Sequence, residues 1–144
     1  MQNILVLCIG NICRSPIAEA LLRQQFPDKT ISSAGLGALV GYHADPLSIE
    51  VSAEQGVDLS AHRARQLSSW MCQAADMILV MEQRHKVEVE QLHPLVRGKV
   101  FRLGELGKFD IEDPHRKPRE AFDTAYAHIA RGVADWVPRI RLLD

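Results

Sequence analysis

The stretch Asn3-Ile4-Leu5-Val6-Leu7-Cys8-Ile9-Gly10-Asn11-Ile12-Cys13-Arg14-Ser15-Pro16 decides how this chain is read. From Ile4 to Leu7 it is aliphatic and without a polar side chain, the pattern of a strand covered on both faces. Ser15-Pro16 reads as an N-cap with proline at the first helical position. Ile17, Ala18, Leu21, Leu22 and Gln25 then recur at helical spacing, which predicts a helix to about Phe26 with Pro27 as its stop. Between strand and helix lies a tight turn. Backbone N–H groups of a loop running into a helix N-terminus converge on one point, and the helix dipole adds to them, so the turn is built for an anion. Gly10 allows positive φ and Asn11 tolerates it. Arg14 offers a planar fork for two phosphate oxygens, and the same positive surroundings favour a thiolate at Cys8 below the phosphorus.

Outward from this unit, structure types alternate. Thr30 to Ser33 reads as a second strand, followed by the Gly-rich segment Ala34 to Gly41. Asp45-Pro46 opens a helix to about Gln55, with Gly56 as its stop. Asp76 to Met81 is a third apolar strand, Glu82 to His93 a charged helix closed by Pro94, and Lys99 to Leu103 a fourth strand. Phe122, Ala125, Tyr126, Ile129, Val133, Trp136, Val137 and Ile140 mark a final amphipathic helix that Pro138 should kink or end. Buried strands alternating with helices predict a small doubly wound α/β domain over residues 1–144, a four-stranded parallel sheet flanked by helices. Ligands of such folds sit beyond the carboxyl ends of the strands, where the first turn lies.

Composition narrows the function classes. With 144 residues, 47% apolar and 24% charged, the chain is an ordinary globular domain rather than a disordered one. Seventeen Lys and Arg against 18 Asp and Glu leave a net charge of −1, with no electrostatic footprint for nucleic acid or an anionic membrane. The longest apolar run, Ile4 to Ile9, is too short to cross a bilayer and lacks the basic flank of a secretory signal, so a cytoplasmic protein is expected. Cys8, Cys13 and Cys72, an odd set without regular spacing, do not make a disulfide framework. The six histidines show no paired zinc spacing, so neither metal nor other cofactor is expected.

The loop lacks the Gly-Lys-Ser/Thr of a nucleotide-binding loop and the three glycines of a dinucleotide fingerprint. A core cysteine ending a strand would be the bland reading of Cys8, but it leaves Gly10, Arg14 and the helix start without a purpose. A phosphoryl-transfer site of this kind needs a carboxylic acid to protonate the leaving group. Gly107 to Pro118 is long, rich in Asp, Pro and charge, and suited to reach over a site. Within it Asp113, Glu112 and Asp110 all qualify.

Residues 8–19, Cys-Ile-Gly-Asn-Ile-Cys-Arg-Ser-Pro-Ile-Ala-Glu, resemble the signature of the low-molecular-weight protein tyrosine phosphatases. The likeness runs through Ser33-Ala34-Gly35, His62 to Gln66, Asp76 to Met81 and Asp113-Pro114. The segment Ser33 to Gly41, with His115-Arg116-Lys117, is similar to the bacterial subgroup tied to capsule and exopolysaccharide export. The resemblance implies a flavodoxin-like phosphatase fold and hydrolysis of phosphotyrosine through a phosphocysteine. Cys8 would be the nucleophile, Ile9, Gly10, Asn11, Ile12, Cys13, Arg14 and Ser15 the phosphate-binding loop, Arg14 the binder of the transferring group, and Asp113 the general acid and then base. Asn11, Ser15, Ser33 and His62 would hold the loop in shape, and Cys13 would pair reversibly with Cys8 under oxidation.

The implied partner is the tyrosine-rich tail of a membrane autokinase, with a monomer as the expected state. Ala38-Leu39 stands where animal members have an aromatic wall, and His115-Arg116 where they have a tyrosine pair. Ile12 takes the position that resembles threonine in the protein arginine phosphatases, which favours phosphotyrosine. Arg116, Lys117 and Arg119 form a basic cluster suited to an acidic phosphopeptide. Two other readings share the anion loop: an arsenate reductase, which needs two further cysteines close together, and a phosphocysteine carrier, which needs no general acid.

Overall fold

The computed structural model describes residues 1–144. Four parallel strands, β1 (Asn3–Cys8), β2 (Thr30–Gly35), β3 (Met77–Val80) and β4 (Val100–Arg102), pair in the order β2-β1-β3-β4. Helices α1 (Ser15–Gln25), α2 (Pro46–Glu54), α3 (Ser69–Ala74), α4 (Gln83–Leu92) and α5 (Arg119–Leu142) complete the chain. The winding reverses between β1 and β3, the switch point at which doubly wound sheets open a crevice. Cys8 pairs with Gly35 in register, and Leu7 with Val80, so Cys8 ends the central strand at the carboxyl edge.

The aliphatic strands are buried on both faces, and their alternation sorts two cores. Ile4, Val6, Met77 and Leu79 face Ile17 and Leu22 of α1 and Ile129, Val133 and Trp136 of α5. Leu5, Leu7, Ile78, Val80 and Val100 face Met71 and Cys72 of α3 and Val89 of α4. A smaller cluster of Ile12, Cys13, Val51, Ala64 and Phe122 packs under the first turn. No helix is long and apolar enough to cross a membrane.

Several local expectations are corrected. Ser15 is the first residue of α1, not its cap; Arg14 holds the cap position without a side-chain cap bond, because the Ser15 hydroxyl is used elsewhere. Asp45 does cap α2, accepting from Leu47 N at 2.9 Å. Helix α3 was not foreseen, since six residues are too few to show a period. Pro138 does not end α5, which continues to Leu142. Gly10 does not take positive φ; Asn11 does, at 58°.

Candidate active site

The turn Ile9 to Arg14 is held from outside by its carbonyl groups. Those of Cys8, Ile9 and Gly10 accept from the amides of Leu36, Gly37 and Leu39 (3.0, 3.0 and 3.1 Å), and that of Ile12 from Asp45 N at 2.8 Å. The Asn11 carbonyl accepts from His62 Nε2 (2.6 Å), that of Cys13 from Ser48 Oγ (3.0 Å), and that of Arg14 from Ala18 N (3.2 Å). Every carbonyl is tied to surrounding structure, while no amide from Ile9 to Arg14 donates to a protein acceptor. A row of unpaired N–H donors ahead of a helix N-terminus is an oxyanion site. The close approach of β2 is part of this grip: a Cβ on Gly35 would lie 2.3 Å from the Ile9 carbonyl oxygen, so glycine is required there.

Asn11 is the hub behind the loop. Its Nδ2 donates to Ser15 Oγ (2.8 Å) and Ser33 Oγ (3.0 Å), and its Oδ1 accepts from Arg65 N (2.9 Å). The Ser33 hydroxyl in turn donates a hydrogen bond to Glu19 Oε1. Ser15 Oγ lies 2.9 Å from Cys8 Sγ, so the hydroxyl refused as a helix cap faces the thiol. Cys8 is 2% exposed.

Arg14 is 1% exposed, and a guanidinium so buried must be paired. Nη1 donates to Glu82 Oε2 (2.6 Å) and to the Ile111 carbonyl (2.7 Å). Nε has no protein partner, and Nη2 lies 3.9 Å from Asp113 Oδ2. One corner of the fork is therefore anchored, and the Nε–Nη2 edge remains for two oxygens of a ligand. Burial raises the Glu82 carboxyl, but the bonds from Arg14 and Arg84 outweigh it and hold the group below its usual range. His85, fully buried beside this pair, is pushed down to about 4 by burial and by the Arg14 charge. Burial, then the nearby Asp45, pushes the Cys13 thiol far up, which keeps it protonated.

A cavity of about 190 Å³ is lined by Cys8, Ile9, Gly10, Ile12, Cys13 and Arg14 on one side and by Gly37, Leu39, Asp113 and His115 on the other. Asp113 is 43% exposed, with Oδ1 accepting from His115 N at 3.0 Å. Asp110 instead pairs with Arg102 at 3.1 Å, and Glu112 lies outside the cavity lining. Arg119 does not join a free basic cluster: it bridges α5 to Glu50 and Glu54 of α2, leaving Arg116 and Lys117 exposed. Cys72 belongs to the opposite face of the sheet from Cys8.

A family model described as low molecular weight phosphotyrosine protein phosphatase matches residues 3–142. The chain belongs to this family. Among similar proteins is one named "Probable low molecular weight protein-tyrosine-phosphatase EpsP" from Ralstonia solanacearum, 56% identical over 143 residues, with 99% of each chain covered. The solved structure of Vibrio vulnificus Wzb in complex with benzylphosphonate superposes with a TM-score of 0.92 at 43% identity, covering 96% of this chain and 98% of that one. The YwlE arginine phosphatase from Geobacillus stearothermophilus also superposes at 0.92, with 30% identity, 99% of this chain and 94% of that one. One backbone thus carries relatives named for phosphotyrosine and for arginine phosphatase activity, and side chains at the cavity must discriminate.

Sequence reasoning missed Glu82, the Ile111 carbonyl, Glu19 and Arg65. Glu82 carried one usable signal: it is the first carboxylate after β3, at the carboxyl edge where sites form.

Proposed function

We propose that the chain hydrolyses phosphotyrosine in proteins through a phosphocysteine on Cys8. The phosphoryl oxygens take the unpaired amides of Ile9 to Arg14 and the Nε–Nη2 edge of Arg14, which neutralise charge on the transferring group. The Cys8 thiolate attacks phosphorus, the S–P bond forms and the P–O bond to the phenol breaks, while the Asp113 carboxyl gives its proton to the departing oxygen. Asp113, now a carboxylate, takes a proton from water as that water attacks. The S–P bond breaks, inorganic phosphate leaves, and Ser15 donates to the returning thiolate. Cys13, protonated and beside Cys8 in the cavity wall, serves as resolving thiol when Cys8 is oxidised.

The observation that carries this reading is the loop whose carbonyls are all tied outward while its amides stay unpaired. Ile12 and Leu39 make an apolar mouth suited to a phenyl ring. The benzylphosphonate held by the Vibrio relative, an aryl-bearing oxyanion, supports the same substrate class. Arsenate relay is disfavoured because Cys72 is a lone thiol across the sheet. The physiological substrate we infer is the phosphorylated tyrosine-rich tail of an autokinase in exopolysaccharide or capsule production, met in the cytoplasm, with exposed Arg116 and Lys117 meeting its acidic residues. The test is steady-state hydrolysis of p-nitrophenyl phosphate in EDTA, wild type beside Cys8→Ser. Turnover in the wild type and none in the variant is expected. A reduced wild type without turnover would overturn the reading and bring the carrier forward.

A further inference from the structure

Beside the phosphate loop, three side chains from distant parts of the chain converge on one point. Cys13 Sγ lies 3.9 Å from Asp45 Oδ2 and 3.8 Å from His115 Nδ1, and those last two atoms are 3.7 Å apart. The N···O separation is too long for a hydrogen bond, and the sulfur contacts are at the outer limit for one. Cys13 is only 4% exposed, so its sulfur is a buried polar atom without a close partner. Asp45 spends Oδ1 on capping α2 through Leu47 N, which leaves Oδ2 for the cluster.

The triangle is nearly equilateral. The centre of such a triangle lies an edge divided by √3 from each corner, here about 2.2 Å for edges of 3.7–3.9 Å. Zinc bonds to thiolate, imidazole and carboxylate are about 2.3, 2.0–2.1 and 2.0–2.2 Å, so an ion at the centre meets all three at bonding distance. Closing the edges by a few tenths of an ångström lifts it out of the plane toward a tetrahedral position, with the fourth place open to the cavity that Cys13 and His115 line. The donor set, one soft sulfur with nitrogen and oxygen, suits Zn²⁺ rather than Mg²⁺ or Ca²⁺.

We propose that Cys13, Asp45 and His115 form a binding site for Zn²⁺ or a similar borderline divalent cation, and that filling it arrests turnover. On binding, the Cys13 thiol proton leaves to solvent and the metal–sulfur bond forms; no electrons are transferred. The ion stands on the wall of the substrate cavity and narrows it. It also fixes His115, whose backbone N–H holds Asp113 Oδ1 at 3.0 Å. Cation binding rests on this geometry alone, whereas arrest of turnover rests on the phosphatase reading.

Co²⁺ serves as the spectroscopic probe, added to Cys8→Ser protein so that the nucleophile contributes no thiolate. One equivalent should raise a sulfur-to-cobalt charge-transfer band, absent when Cys13→Ser is added. Asp45→Asn keeps the helix cap but removes the anionic ligand, and His115→Ala removes the nitrogen. Each should weaken binding by at least about tenfold, since loss of even an outer-shell partner costs 10- to 100-fold. No band, or a band indifferent to Cys13→Ser, Asp45→Asn and His115→Ala, overturns the site. In wild type, Zn²⁺ should lower p-nitrophenyl phosphate hydrolysis and EDTA should restore it. Unchanged turnover at saturating Zn²⁺ overturns the arrest while the cobalt result stands by itself.

Discussion

At the scale of single residues the division of labour is between a buried charge and an exposed one. Arg14 is fixed by Glu82 and the Ile111 carbonyl, which leaves it pre-aimed and without rotamer freedom to lose when an oxyanion arrives. Asp113 is 43% exposed, with one hydrogen bond from the His115 amide and Arg14 Nη2 3.9 Å away, an arrangement suited to the proton exchange proposed for it. Asp113→Asn should therefore lower kcat by roughly two to four decades, the usual worth of general acid–base catalysis. The loss should be smaller for p-nitrophenyl phosphate, whose nitrophenolate departs without much help, than for phenyl phosphate. Near-normal kcat on phenyl phosphate would remove Asp113 from the mechanism.

At the scale of elements the loop is a strand end and a helix start clamped by three other segments. Asn11 carries the side-chain part of the clamp, with bonds to Ser15, Ser33 and Arg65 and a backbone at φ 58° that asparagine tolerates better than other non-glycine residues. Asn11→Ala removes those bonds and places alanine in a strained conformation. We expect a stability loss of about 2–4 kcal/mol from unpaired buried groups and backbone strain, measured by urea unfolding. A change under about 0.5 kcal/mol would show that His62 and the other outward carbonyl bonds hold the loop alone.

Much of this element was legible because it is local: an apolar strand, a turn and a proline-led helix adjoin in sequence. Ser15 was misread because a serine before Pro16 signals a cap from sequence, and only the approach of Cys8 Sγ draws its hydroxyl away. The tie-down by Leu36, Gly37, Leu39 and Asp45 was not legible, since backbone donors carry no residue signature. The Cys13–His115 approach, separated by 102 positions, has no spacing rule to announce it.

Across the whole molecule, the site sits at the carboxyl edge of the sheet, and its charges are felt in stability. His85 is buried and neutral, with its folded value near 4 against an ordinary 6.5. Between those two values the unfolded chain binds a proton at this position that the folded chain refuses, so stability falls as pH falls from 6.5 toward 4. His85→Leu removes that proton. Its thermal midpoint should decline less between pH 7 and pH 4.5 than the wild type's, as followed by circular dichroism. Parallel declines would show that the buried imidazole has no part in acid sensitivity. A parallel sheet covered by helices was legible in strand composition, because parallel strands covered on both sides must be aliphatic throughout, but the strand order was not. The anchoring of Arg14 by the segments after β3 and β4 was not, for it depends on how the sheet brings distant ends together.

That dependence gives the chain a schedule. Cys8 and Arg14 leave the ribosome before the residues that complete their site: β1 is flanked by β2 and by β3, whose Leu79 partners Val6, and the contacts that aim Arg14 come from Glu82 and Ile111. Closing such long loops is the slow part of folding a parallel sheet. A nascent chain released before residue 82 carries the whole phosphate loop yet neither the anchor nor the acid. Truncated or half-folded copies are therefore inert, and the return of hydrolysis during refolding marks completion of the sheet rather than formation of its first turn.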